Sequence, residues 1–172
     1  LEQLISSIVE LSRIDAKVLV PRNEPLNLSA FCSRIANDHK GLLEHYGLSL
    51  ELNVMEAVWV NTDQLLLRRV IDNILNNAIK ISDPETVVGV RLECCAGRVT
   101  VSITDQGPGM TAQMQSQIFT PFKRWTKRYE GSGLGLSVVE GLSNLLGIKL
   151  SVISEVGQGC CFQLSFSIVE SP

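Results

Sequence analysis

Leu1, Leu4, Ile5, Ile8, Leu11 and Ile14 recur at three- and four-residue spacing with Glu, Gln, Ser and Arg between them, which predicts an amphipathic helix. Val20-Pro21 and Glu24-Pro25 both disfavour helix, so residues 17–25 read as a linker to the main body, and the one domain boundary falls there. Helical spacing resumes over 28–46 with Ser29 as a candidate cap, and Leu48-Ser49-Leu50-Glu51-Leu52-Asn53-Val54 alternates as a half-buried strand. Asn61-Thr62-Asp63 signals the start of a long helix over 64–81, and Asp83-Pro84 stops it. Val88, Val90, Leu92 and Cys94 alternate with Gly89, Arg91 and Glu93. After Ala96-Gly97, Val99, Val101 and Ile103 alternate with Thr100, Ser102 and Thr104, so the two runs predict a hairpin. Residues 107–131 are rich in Gly, Pro and polar side chains, with one short helical stretch over 111–118, and read as a long surface excursion of the kind that carries function. A last helix over 134–146 and strands over 149–154 and 161–168, joined by Gly157-Gln158-Gly159, complete the pattern. The sum is an antiparallel or mixed sheet with helices on one face.

At 172 residues the chain has room for one domain with a short appendage, and 45% hydrophobic residues against 19% charged exclude a disordered or collagen-like chain. Fifteen Lys and Arg against eighteen Asp and Glu leave a net charge of −3. No global positive field then favours nucleic acid or acidic lipid, and any anion site must be local. No apolar run approaches the roughly 18 residues needed to span a bilayer, so no direct membrane contact is expected. Five cysteines are an odd number, and Cys94-Cys95 and Cys160-Cys161 are neighbours, unlike a disulfide or zinc framework. On strands, adjacent side chains point to opposite faces and cannot jointly grip a metal, so the cysteines read as reduced packing residues in a cytosol.

Three groups of residues carry candidate chemistry. The period of two that runs through Val99, Val101 and Ile103 puts Asp105 on the same inward face, where a carboxylate needs a hydrogen-bond donor from the protein or from a ligand. Gly107 and Gly109 follow and would let a flat ligand approach the backbone; the alternative is an aspartate capping its own turn. Asn73, Asn77 and Lys80 share one face of the helix over 64–81, suited to Mg²⁺ and phosphate, or simply a solvated polar face. Gly131-Ser132-Gly133-Leu134-Gly135-Leu136 opens the last helix, where unshielded amides form an anion site, yet it is neither the dinucleotide fingerprint nor the P-loop. The densest basic run, Lys123-Arg124-Trp125-Thr126-Lys127-Arg128-Tyr129, lies just before it, either folding over a bound anion or solvated.

Together these residues resemble the ATP-binding catalytic domain of sensor histidine kinases, whose fold is shared by gyrase, heat-shock chaperone and mismatch-repair ATPases. Asn73-Ile74-Leu75-Asn76-Asn77-Ala78-Ile79-Lys80 resembles the asparagine box and Asp105-Gln106-Gly107-Pro108-Gly109-Met110 the first glycine box. Phe119-Thr120-Pro121-Phe122-Lys123-Arg124 resembles the phenylalanine box, and Gly131 to Leu136 the second glycine box. Leu145-Leu146-Gly147-Ile148 and Ser154 to Phe162 are similar to the closing helix and hairpin, so the match covers about 26–169. Leu11-Ser12-Arg13-Ile14-Asp15-Ala16 is similar to the end of the second helix of the dimerisation and phosphoacceptor domain.

The resemblance implies an α+β, two-layer α/β sandwich with a mixed, mostly antiparallel sheet and helices on one face, preceded by a truncated dimerisation helix. Residues 1–16 would be that helix, 17–25 the linker and 26–172 the catalytic domain. It implies ATP and Mg²⁺ as ligands. Asp105 would accept the adenine amino group, Gly107 and Gly109 would shape the pocket wall, and Asn77 would ligate Mg²⁺. Asn73 and Lys80 would support the phosphate end, Arg124 would approach the γ-phosphate, and Gly131, Ser132, Gly133, Leu134 and Gly135 would cradle the chain. Phe119 and Phe122 would anchor the loop, with Phe122 at the nucleotide.

The implied reaction is transfer of the γ-phosphate to a histidine of the dimerisation domain, for relay to a response-regulator aspartate. His39 and His45 lie in the predicted helix over 28–46 and read as packing or surface residues. The implied partners are the chain's own dimerisation domain and a receiver domain. The parent would be a homodimer, cytoplasmic at this domain and often membrane-anchored, and this piece a monomer. Ile81 stands where an aromatic residue is often found and Glu130 where a glycine commonly begins the second box, which motivates an alternative: a degenerate, nucleotide-gated or nucleotide-blind interaction module.

Overall fold

The computed structural model describes residues 2–123 and 133–169. In chain order the elements are α1 (Glu2–Asp15), β1 (Glu24–Asn27), α2 (Leu28–Asp38), α3 (Lys40–His45), β2 (Ser49–Val54) and β3 (Trp59–Thr62). Then follow α4 (Gln64–Ile81), β4 (Val87–Cys95), β5 (Arg98–Asp105), α5 (Ala112–Gln115), α6 (Gly135–Leu145), β6 (Lys149–Ser154) and β7 (Cys160–Ser167). Five strands form one sheet in the order β2-β4-β5-β7-β6. Only β2 and β4 run parallel, because the long α4 carries the chain back between them; the other neighbours are antiparallel.

One face of this sheet builds the core. Val88, Val90 and Leu92 of β4, Val99, Val101 and Ile103 of β5, and Phe162, Leu164 and Phe166 of β7 are all buried against Leu67, Ile71, Ile74, Leu75 and Ala78 of α4. The apolar stripes at period two and at helical period therefore meet as the sequence pattern requires. On the other face, Glu51, Asn53, Arg91, Glu93, Thr104 and Gln163 surround a shallow cavity of about 240 Å³. The fold is the α+β sandwich with a mixed sheet that the sequence suggests.

Local departures have local causes. The helix expected over 28–46 is two helices. At His39 (φ −88°, ψ −2°) the ring Nδ1 donates to the Ile35 carbonyl at 2.9 Å, the same carbonyl that the His39 N–H reaches at 3.3 Å, and the chain turns there. The cap of α2 is Asn27, whose side chain accepts from Ala30 N at 2.9 Å. Ser29, the expected cap, instead accepts from Val58 N at 3.0 Å. Two short strands are absent from the sequence pattern: β1 pairs antiparallel with β3, so the first strand begins at Glu24, inside the expected linker. Pro25 is compatible with this two-stranded ribbon because an edge position needs no N–H there.

Asp63 ties the stretch between α1 and β1 to the start of α4. Its Oδ1 accepts from Leu65 N at 2.9 Å and Leu66 N at 3.0 Å, capping α4, while Oδ2 accepts from Arg22 N at 2.8 Å across 41 positions of sequence. α1 packs on α6, with Ile14 set against Gly141, where a Cβ would come within 3.3 Å of it, and Glu10 paired with Arg69. Among the described residues no helix is long and apolar enough to cross a membrane.

Replacing Asp63 by Ala removes both functions and is expected to lower the unfolding free energy in urea by about 1–2 kcal/mol, the range for a lost N-cap. Asp63→Asn keeps the Oδ1 acceptor but not the bond to Arg22. It should stay near the parent in urea while trypsin cuts faster at Lys17 and Arg22 in the linker. Equal cleavage rates for parent and variant would refute the staple.

Candidate active site

The site is built where β5, α4 and α6 converge. Asp105 ends β5 and is 4% exposed. Its Oδ1 accepts from Gly107 N at 2.9 Å and from Cys160 N at 3.2 Å, so the turn-capping reading is correct for that oxygen. Oδ2 is buried with no hydrogen-bond partner among the described residues. One oxygen thus belongs to the fold and the other is left over, and a buried acceptor without a donor is costly. Burial pushes the Asp105 carboxyl above its ordinary value, opposed by the N–H groups of Gly107 and Cys160 and by the nearby Cys160 thiol.

The loop after Asp105 is held by backbone contact. At Gly109 (φ +67°) a Cβ would lie 1.9 Å from the Glu155 carbonyl oxygen, and at Gly159 (φ +77°) it would lie 2.0 Å from the Asp105 carbonyl oxygen. Pro108 O also accepts from Gly157 N at 2.8 Å. The loop and the β6–β7 turn are therefore pressed together, backbone to backbone, and glycine is required for that reason. The Cβ direction at Gly109 is filled by protein and not open to a flat ligand. Gly107 is the one that faces α4: a Cβ there would come within 2.9 Å of the Ile81 carbonyl and 3.2 Å of its Cγ2.

Gly107 and Ile81 thereby bring Asp105 to the C-terminal end of α4. One face of that helix carries Asn73, Asn77 and Lys80, all half-buried. Asn73 Nδ2 donates to the Arg69 carbonyl at 2.8 Å, which turns Oδ1 toward α6, where it lies 3.1 Å from the space a Cβ would fill at Gly135. α6 begins there without a side-chain cap: Leu134 is fully buried at the cap position, and the Ser137 hydroxyl donates back to Leu134 O at 2.8 Å. A helix start with no side-chain cap among the described residues, faced by the Asn73 side chain, suits an anion.

Of the other expected residues, Phe119 is half-buried against the core, but Phe122 is 64% exposed with φ +62°. Phe122 does not anchor the loop by burial. Its N–H donates to Gly133 O at 3.0 Å. Gly133 is half-buried at φ +72°. Arg124, Gly131 and Ser132 lie outside the described residues. Sequence reasoning gave no role to Ser154, Gln115 or Cys160, which surround Asp105 and its loop. Their spacing along the chain carries no signal, because only the pairing of β6 with β7 and the placing of α5 against them bring the three together.

Residues 62–170 match the family described as histidine kinase-, DNA gyrase B-, and HSP90-like ATPase. The autoinducer 2 sensor kinase/phosphatase LuxQ of Vibrio cholerae is 32% identical over 98% of this chain, which covers 21% of that protein. The circadian input-output histidine kinase CikA of Synechococcus elongatus is 31% identical over 93% of this chain and 22% of its own length. The chain thus spans about a fifth of these relatives. Among solved structures, full-length ShkA in complex with AMPPNP superposes with a TM-score of 0.87 at 25% identity, covering 99% of this chain and 36% of that one. The mycobacterial sensor histidine kinase MprB gives 0.74 at 29% identity, covering 86% and 98%.

The raised Asp105 has a consequence for stability. The folded chain binds this proton more tightly than the unfolded chain, so the group's contribution is fully present below the ordinary aspartate value of 3.8 and is lost as pH rises through the higher folded value. Asp105→Asn keeps the Oδ1 acceptor and removes the buried charge. The variant should melt above the parent at neutral pH, with the gap closing as pH falls toward the ordinary aspartate range. A variant that melts lower at neutral pH would show that the charge is not a burden on the fold.

Proposed function

The chain belongs to the histidine kinase-, DNA gyrase B-, and HSP90-like ATPases as their ATP-binding catalytic module, and we propose that it serves a two-component sensor histidine kinase. Its reaction is transfer of the ATP γ-phosphate to a histidine on the dimerisation domain, for relay to an aspartate of a response regulator. In this reading residues 1–16 end the dimerisation domain, 17–25 link it and 26–172 form the catalytic domain. The parent is a homodimer with this domain in the cytoplasm, and the 172-residue piece is a monomer.

The observation that carries the reading is the unpartnered Oδ2 of the buried Asp105. An exocyclic adenine amine is a donor of the required kind, and it would restore the missing bond without adding charge. Asp105 reads the base, and Gly107 and Ile81 form the wall beside it. Asn73, Lys80 and the start of α6 at Gly133, Leu134 and Gly135 hold the phosphates, with Gly131 and Ser132 completing the cradle and Phe122 flanking the nucleotide. Asn77 holds Mg²⁺ through its side-chain carbonyl, a hard oxygen ligand suited to that ion. When bound, the ion neutralises phosphate charge. Arg124 approaches the γ-phosphate.

These residues position and neutralise; they supply no nucleophile. The imidazole nitrogen of the partner domain attacks the γ-phosphorus in line, the bond to the bridging oxygen breaks, and ADP leaves. Lys80 and the α6 amides stabilise the charge that spreads over the phosphate oxygens, and the transfer step depends on their placement.

Calorimetric titration of Mg·ATP into this chain should show binding, and Asp105→Asn should weaken it by about 1–3 kcal/mol, the cost of a removed charged hydrogen bond. With a separately supplied phosphoacceptor domain, label from γ-³²P-ATP should reach its histidine, and Asn77→Ala should abolish the Mg²⁺ dependence of binding. A folded sample that binds no nucleotide would favour the interaction module suggested by Ile81 and Glu130.

A further inference from the structure

Ser154 ends β6 and Gln115 ends α5, and the reaction outlined above uses neither. The Ser154 hydroxyl makes three contacts. Its oxygen accepts from Met110 N at 2.9 Å, its hydrogen goes to Gly159 O at 2.7 Å, and Cys160 Sγ lies 3.2 Å away. Cys160 thus stands between the Ser154 hydroxyl and the Asp105 carboxylate, in contact with both. Burial pushes the Cys160 thiol up to about 11, so it retains its hydrogen at neutral pH.

These contacts bracket Asp105. Met110 closes the loop that Asp105 opens and is itself 3% exposed. Gly159 sits against the Asp105 carbonyl, and Cys160 N–H holds Asp105 Oδ1. One hydroxyl therefore joins the loop to the strand that fixes the carboxylate. Gln115 braces the joint from outside, its Nε2 donating to Ser154 O at 2.9 Å and to Met110 O at 3.3 Å.

We propose that Ser154, braced by Gln115, is a positioning residue that sets the direction of the free Asp105 oxygen and with it the preference for a base bearing an amino group. The inference rests on the reading of Asp105 as the base acceptor. Without the hydroxyl, Met110 N–H loses its acceptor, the loop loses one of its ties to the β6–β7 turn, and Oδ2 loses its fixed direction. Adenine offers this oxygen a donor, whereas guanine presents a carbonyl at the equivalent ring position. A loose carboxylate discriminates between them less well, while phosphate binding on α4 and α6 is untouched.

The test is titration of Mg·ATP and Mg·GTP into the parent chain, Ser154→Ala, Ser154→Thr, Gln115→Leu and Asp105→Asn, each checked by thermal melting. Ser154→Ala should weaken Mg·ATP about tenfold and Mg·GTP little, so that the ratio of the two dissociation constants narrows. Ser154→Thr, which keeps the hydroxyl, should restore the ratio, and Gln115→Leu should narrow it by a smaller factor of about three. If Ser154→Ala does not fold, Gln115→Leu carries the test alone. An unchanged ratio in the variants, or equal weakening of both nucleotides, overturns the proposal while an effect of Asp105→Asn leaves the base reading standing. If Asp105→Asn also leaves Mg·ATP binding unchanged, the base reading fails and this inference fails with it.

Discussion

A carboxylate held inside a protein with one oxygen satisfied and the other unpaired is a standing cost, and the structure around Asp105 is arranged to hold it there. Two backbone N–H groups fix Oδ1, and two glycines let the Asp105–Met110 loop and the β6–β7 turn meet at distances no side chain would allow. The sheet supplies the leverage: β5 and β7 pair from Arg98 opposite Ser167 down to Asp105 opposite Cys160, so the last rung of a full ladder sets the carboxylate. A loop of the same composition on an isolated hairpin would relax and hydrate the free oxygen. Packed against α4 and the turn, it cannot, and the unmet acceptor becomes a recognition element.

That arrangement divides the site into two ends with different mechanical support. The base end is backbone pressed on backbone at the centre of the sheet's edge, with Gly107 against Ile81. At the phosphate end, side chains and a helix start meet: Asn73, anchored to the Arg69 carbonyl, faces the beginning of α6. The first can discriminate because it cannot move without breaking the ladder. The second can accept a chain of charges because helix amides and long side chains tolerate small displacements.

Much of this was legible in the sequence, for identifiable reasons. The period of two through Val99, Val101 and Ile103 needs no tertiary knowledge to send Asp105 inward, and the helical stripe on α4 likewise fixes the outward face of Asn73 and Asn77. What was not legible depends on contacts between distant positions. β1 and β3 were hidden because Pro25 argues against a strand and Asn61-Thr62-Asp63 reads as a helix start; only their mutual pairing makes either one a strand. The cap of α2 moved from Ser29 to Asn27 because Val58, across the fold, claims the Ser29 hydroxyl. Phe122 reads as an apolar anchor, yet its backbone bonds Gly133 while the ring stays exposed. The Ser154 link spans 44 positions and exists only once β6 and β7 have paired.

The amphipathic first helix shares these supports. α1 meets α6 at Gly141, and Glu10 pairs with Arg69, whose carbonyl holds the Asn73 amide. The Arg69 side chain is about half exposed although Glu10 is largely covered, so water still screens the ion pair from one side and it contributes on the order of 1 kcal/mol. The Ile14 side chain seated on Gly141 is therefore the stronger determinant of where α1 lies, since a glycine there is what allows the close approach. The two helices that α1 touches, α6 at Gly141 and α4 at Arg69, are thus the two that meet where Asn73 faces Gly135.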